Sequence, residues 1–164
     1  LHKQQKMQST IALRRGSILR ILLPLVLLIA GFGHAQAQTS EIYVSGGKAI
    51  DGYDPVAYFA LARPVKGVDS LSYQWKGAIW LFSSRQNLKA FMTSPEKYAP
   101  QYGGYCAYGT AQGHKASTEA DAWTIVNNKL YLNYNGKVKS EWVKDEPGNI
   151  QKADKQWPAI KNKD

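Results

Sequence analysis

The run from Ile21 to Ala30 sits behind a stretch carrying Lys3, Lys6, Arg14, Arg15 and Arg20 and no acid, and it divides the chain before any fold is considered. It is too short to span a bilayer, which needs about 20 apolar residues, and Pro24 inside it would interrupt a spanning helix. Ala35-Gln36-Ala37 follows, with small residues at the two positions a signal peptidase reads. Residues 1–37 are therefore expected to be an export signal cut after Ala37, leaving a periplasmic or secreted domain with no membrane association of its own. No cysteine stands directly behind the run, which argues against a lipid anchor; an uncleaved membrane anchor is the alternative.

Removing that segment changes the charge balance. All five of its charges are basic, so residues 38–164 keep sixteen basic against twelve acidic side chains, a net +4. The remaining lysines are scattered and Arg63 and Arg85 are the only arginines, which is ordinary surface solvation and no nucleic-acid footprint. The 127 residues after the cut suit one domain with its own core. Cys106 is the sole cysteine and cannot close an internal disulfide, so packing must hold the domain together. Five tryptophans and ten tyrosines, all after residue 37, supply much of the area to bury.

Residues 38–47 are expected to be a tether with a short edge strand around Ile42, Tyr43 and Val44. The domain proper is placed at 48–158, with 159–164 as a tail. Tyr73 and Trp75 alternate with polar residues before Lys76-Gly77, and Ile79, Leu81 and Phe82 follow, which predicts a tight hairpin. A helix comes next, capped by Ser83 with Gln86 three residues on, and Leu88, Phe91 and Met92 share its apolar face. Ser94-Pro95-Glu96 starts a second helix that Gly103-Gly104 breaks. A second hairpin joins Trp123–Val126 to Leu130–Tyr134 through Asn127-Asn128-Lys129. Ile150, Ala153 and Trp157 mark a C-terminal helix ending before Pro158. Strand pairs interleaved with short helices predict an α+β fold.

Tyr73-Gln74-Trp75-Lys76-Gly77, Leu81-Phe82-Ser83-Ser84, Asn87-Leu88, Phe91 and Pro95-Glu96-Lys97-Tyr98 together resemble the YHS domain family. Gly52-Tyr53-Asp54-Pro55-Val56-Ala57-Tyr58-Phe59 and Tyr102-Gly103-Gly104-Tyr105-Cys106-Ala107-Tyr108-Gly109 resemble its secreted bacterial branch, as do Trp123, Leu130-Tyr131-Leu132-Asn133, Ala153 and Trp157-Pro158. The resemblance implies a small α+β domain associated with metal-ion handling, found alone or beside metal-transport and oxygenase modules. The cysteines to which that role is attributed would fall at Ala57 and Ser83, and neither a methyl group nor a neutral hydroxyl replaces a thiolate at a soft metal.

Any coordination would have to be rebuilt from Cys106, His114 and the Met92 thioether, a set whose softness suits a copper ion, Cu(I). A small-ligand site at Tyr105, Cys106, Tyr108 and His114 is the companion expectation. Cys106 can equally be a buried small hydrophobe and His114 a polar loop residue. Tyr98, Tyr102, Tyr105 and Tyr108 recur every three or four residues, so a helix would gather their rings on one side, as core or as pocket wall. Asp51 and Asp54 read as a structural turn beside Gly52 and Pro55. The residues name no reaction. Non-enzymatic binding of a metal ion or small ligand is expected, with a metal-free protein-interaction module and a cysteine-dependent redox or hydrolytic enzyme as alternatives. The sequence leaves the identity of any protein partner open.

Overall fold

The computed structural model describes residues 41–163. The expected export signal lies outside the described residues. Three antiparallel two-stranded sheets alternate with short helices, an α+β architecture. The first pair is β1 (Val44–Ser45) with β2 (Lys48–Ala49). α1 (Pro55–Leu61) follows, then β3 (Val68–Trp75) with β4 (Ala78–Phe82), α2 (Arg85–Thr93), α3 (Pro95–Tyr98) and α4 (Ala107–Ala111). β5 (Glu119–Val126) pairs with β6 (Lys129–Asn133), and α5 (Gly136–Trp142) and α6 (Glu146–Ile160) close the chain. No helix among the described residues is long and apolar enough to cross a membrane.

Both predicted hairpins form, and for the local reason expected. Lys76 and Gly77 have φ of 48° and 75°, and Asn127 and Asn128 have 51° and 59°, so each turn is a two-residue loop whose twist matches its strands. Trp75 faces Ala78 in one hairpin and Val126 faces Lys129 in the other. Lys129 thus opens β6 instead of closing the turn.

β6 explains why the interior has two parts. Leu130 and Leu132 point into a cluster with Tyr58, Trp80, Phe82 and Phe91, while Tyr131 points into a second with Tyr102, Ala107, Trp142 and Ala153. A strand covered on both faces needs apolar side chains in both registers, which is why Leu130-Tyr131-Leu132 does not alternate with polar residues.

The first cluster is organised by a carboxylate. Asp54 is fully buried at the cap of α1, where Oδ1 accepts from the Val56 and Ala57 amides at 2.9 and 3.3 Å. Its Oδ2 accepts from the Ser83 amide at 2.8 Å, the Ser83 hydroxyl at 2.6 Å and Asn87 Nδ2 at 2.7 Å. α1, the end of β4 and α2 therefore meet on one side chain. Asp51, three residues earlier, is exposed and pairs with Lys66 at 2.8 Å. The aspartate turn is real, but its second acid is a tertiary anchor and α1 follows it directly, with Pro55 at the first helical position.

Several expectations are corrected. The cap of α2 is Ser84, whose hydroxyl accepts from the Asn87 amide at 3.1 Å, because Ser83 is turned to Asp54. Met92 leaves the apolar face and stands 52 % exposed. α3 ends at Tyr98, before Gly103-Gly104. α6 runs through Pro158 to Ile160, because burial of Ile160 holds its last turn to the core. The expected tether is drawn in from Glu41 onward: Ile42 is buried in the first cluster, and Tyr43 N–H donates to the Gly103 carbonyl at 2.9 Å. A Cβ at position 103 would strike the Glu41 carbonyl, so this seam requires glycine.

Burial raises the phenols of Tyr58, Tyr102 and Tyr131 above their ordinary value of about 10. The nearby Asp154 carboxylate adds to the effect at Tyr102 and Tyr131, which is pushed up to about 12. A raised folded-state value means the neutral phenol is favoured by folding. The stability it carries is complete below pH ~10 and is lost as pH rises through the folded value. Urea midpoints should therefore fall steeply above pH ~10, and Tyr131→Phe should make that fall shallower by about a third, with Tyr58 and Tyr102 keeping the rest; a midpoint independent of pH there would contradict the assignment.

Candidate functional site

Cys106 caps α4 with its sulfur. The Sγ accepts from the Gly109 amide at 3.3 Å and the Tyr134 amide at 3.3 Å, and the thiol points to Asn133 Oδ1 at 3.8 Å. That same oxygen accepts from the Tyr108 amide at 3.2 Å. A backbone bridge sets Cys106 beside Leu132, so the thiol is held between α4 and β6, 1 % exposed. α4 starts at Ala107, which makes Cys106 the cap itself.

The other expected residues fall in two places. His114 is exposed just past α4; its N–H donates to the Gly109 carbonyl at 3.1 Å, and its Nε2 lies over Gly109. Gly109 thus stands between imidazole and thiol, donating its own N–H to the sulfur. Tyr105 is half-buried against Tyr43 and Trp157, with ring centres 5.6 and 6.2 Å apart. Tyr108 packs on the second cluster. Met92 sits on α2, which packs against α1, α3, β3 and β4, away from the α4 to β6 seam. Among the described residues no three histidine, cysteine or acidic side chains gather as a metal cage. The tyrosine comb divides as well: Tyr98 packs on Phe59 by the first cluster, whereas Tyr102 belongs to the second. Gly103 and Gly104, with φ of 63° and 88°, break the helix that would have aligned them.

Ala57 and Ser83, the positions of the resembled family's thiols, both abut Asp54. The Ser83 hydroxyl donates to that carboxylate and so joins the internal scaffold.

An open cleft of about 320 Å³ lies on a surface that sequence reasoning did not single out. Trp75 and Trp157 contribute ring surface, Tyr102 and Gly103 the floor turn, and Glu41, Lys76 and Glu96 much of the rim. Trp75 ends β3 and Lys76 begins its turn, while Trp157 comes from α6. Tyr102 holds φ of 54°, unusual for an aromatic residue, and its hydroxyl donates to Asp154 Oδ1 at 2.9 Å. The contributing segments lie far apart in the chain, so no local motif could have announced the cleft.

Two other hollows offer less. One of about 480 Å³ is lined by Lys48, Asp51, Lys66 and Asp69, whose charges already pair with one another, Lys48 with Asp69 at 2.5 Å and Lys66 with Asp51 at 2.8 Å. One of about 270 Å³ is bounded by Tyr58, whose hydroxyl donates to the Ala120 carbonyl at 3.2 Å, and by the exposed acids Asp51, Glu119 and Asp121. No family model, curated protein or solved structure matches the chain.

The buried cap predicts a silent thiol. A disulfide reagent such as dithionitrobenzoate should label Cys106 at the rate of unfolding and speed up with urea, and Cys106→Ala should lose about 1–2 kcal/mol as a cap deletion. Labelling within seconds in native buffer would contradict the packed assignment.

Proposed function

We propose that the chain is an exported binding domain of the YHS type, periplasmic or secreted, that takes a small ligand in the cleft between Trp75 and Trp157. One observation carries the reading. The only sulfhydryl is engaged on three sides by its own fold, whereas the ring surfaces of Trp75 and Trp157 border an open cleft of ligand size. Half-buried indoles beside a charged rim suit a small polar or charged ligand that also presents some apolar surface.

A metal-binding reading draws less support. A thiolate ligand at Cys106 would have to give up amide bonds that cap α4, and His114 and Met92 do not converge on it. Cysteine-dependent catalysis meets the same obstacle, since the imidazole and the thiol share no hydrogen bond and Gly109 lies between them. A protein-interaction role would use the same rings and rim.

Indole, a flat apolar probe with one donor, tests the cleft. Titrated into the ¹⁵N-labelled protein, it should shift the Trp75, Trp157, Tyr102 and Gly103 signals saturably and leave Cys106 and His114 unmoved. Shifts scattered over the surface, or centred on Cys106, would overturn the assignment.

A further inference from the structure

The cleft already holds one ammonium, the chain's own. Lys76 Nζ lies 4.8 Å from the centre of the Trp75 ring and 3.5 Å from Glu41 Oε1. An indole face and a carboxylate thus share a single cation, the combination by which proteins recognise organic ammonium ligands. The hold is weak. Lys76 is the first residue of a two-residue turn, with its side chain 40 % exposed and that of Glu41 35 % exposed, and ion pairs so placed are strongly screened by water and salt.

Withdrawal of Lys76 changes two things together. It frees the indole face, and it leaves Glu41 and Glu96 on the rim against Lys129, two carboxylates facing one ammonium. A rim that is balanced with Lys76 in place then carries one uncompensated negative charge, matched to a monocation. A primary ammonium such as that of Lys76 is strongly hydrated, whereas an alkylated ammonium gives up less water to reach a ring face. Trp157, half-buried, lines the same cleft and offers further apolar surface to its alkyl groups.

We propose that the cleft is a site for a small organic ammonium ion and that Lys76 is its resident stand-in, displaced on binding. This rests on the cleft being the ligand site. The incoming cation takes the place of Nζ on the Trp75 face, with its charge toward Glu41, and Lys76 moves into solvent.

Tetramethylammonium and tert-butanol, a neutral solute of similar size, separate the possibilities when titrated into the ¹⁵N-labelled protein at constant ionic strength. Tetramethylammonium should shift Trp75 and Lys76 saturably, and tert-butanol should bind at least about ten-fold more weakly. Lys76→Asn removes the competitor while keeping a residue that tolerates the turn's φ of 48°. It should tighten tetramethylammonium by about three- to ten-fold, and Glu41→Gln should weaken it by a similar factor. Both positions are solvent-exposed enough for the variants to fold. Equal binding of the two solutes, or an affinity unchanged in Lys76→Asn, overturns the ammonium assignment. Saturable indole binding without any response to tetramethylammonium sinks that assignment alone, whereas failure of indole as well removes the cleft reading beneath it.

Discussion

A carboxylate sealed from water is costly unless every lone pair finds a donor, and Asp54 finds them in three separate elements. The cap of α1, the last turn out of β4 and the first turn of α2 are thereby fixed to one another. Trp80, Phe82 and Phe91 then pack on a frame whose angles are already set, with ring centres of Trp80 and Phe82 each 5.2 Å from that of Phe91. Hydrophobic burial supplies most of the driving force, but it is non-directional. The hydrogen bonds to Asp54 specify which way the elements meet.

The same economy of polar groups shapes what the molecule can do. Ser83 is committed to Asp54, and Cys106 is committed to α4 and Tyr134. Positions that invite chemistry in the sequence are thus absorbed into structure. What stays open is a cleft whose rings belong to elements anchored elsewhere. Trp75 is held edge-on by Trp80 and Phe91, and Trp157 is held edge-on by Tyr102 and in a tilted contact by Tyr105. Rings braced from behind present a preformed face, which spares a ligand the cost of ordering them.

Features governed by neighbours in sequence were legible. Lys76-Gly77 and Asn127-Asn128 announce their hairpins because left-handed backbone is a local demand. The α+β class followed from their spacing among helical segments. Features governed by distant partners were not. Two adjacent serines stand before α2, and nothing local says that an aspartate 29 residues upstream will claim the first and leave the cap to the second. Pro158 reads as a stop, and burial of Ile160 overrides it. α1 and α5 escaped notice although Asp54-Pro55 and Asn135-Gly136 carry ordinary start signals, since both helices are only seven residues long and weakly periodic. Of the expected site, Cys106, Tyr105, Tyr108 and His114 do share one stretch around α4, but burial and hydrogen bonding give the thiol a structural part. The cleft joins residues from 41 to 157, a juxtaposition only the folded chain creates.

The central claim is that one buried carboxylate orients the first core, and equilibrium unfolding of Asp54→Asn tests it most directly. The amide keeps the shape but turns an NH₂ toward groups that are themselves donors, so the account predicts a loss of about 3 kcal/mol or more. A loss below about 0.5 kcal/mol, the range of an ordinary surface substitution, would contradict it.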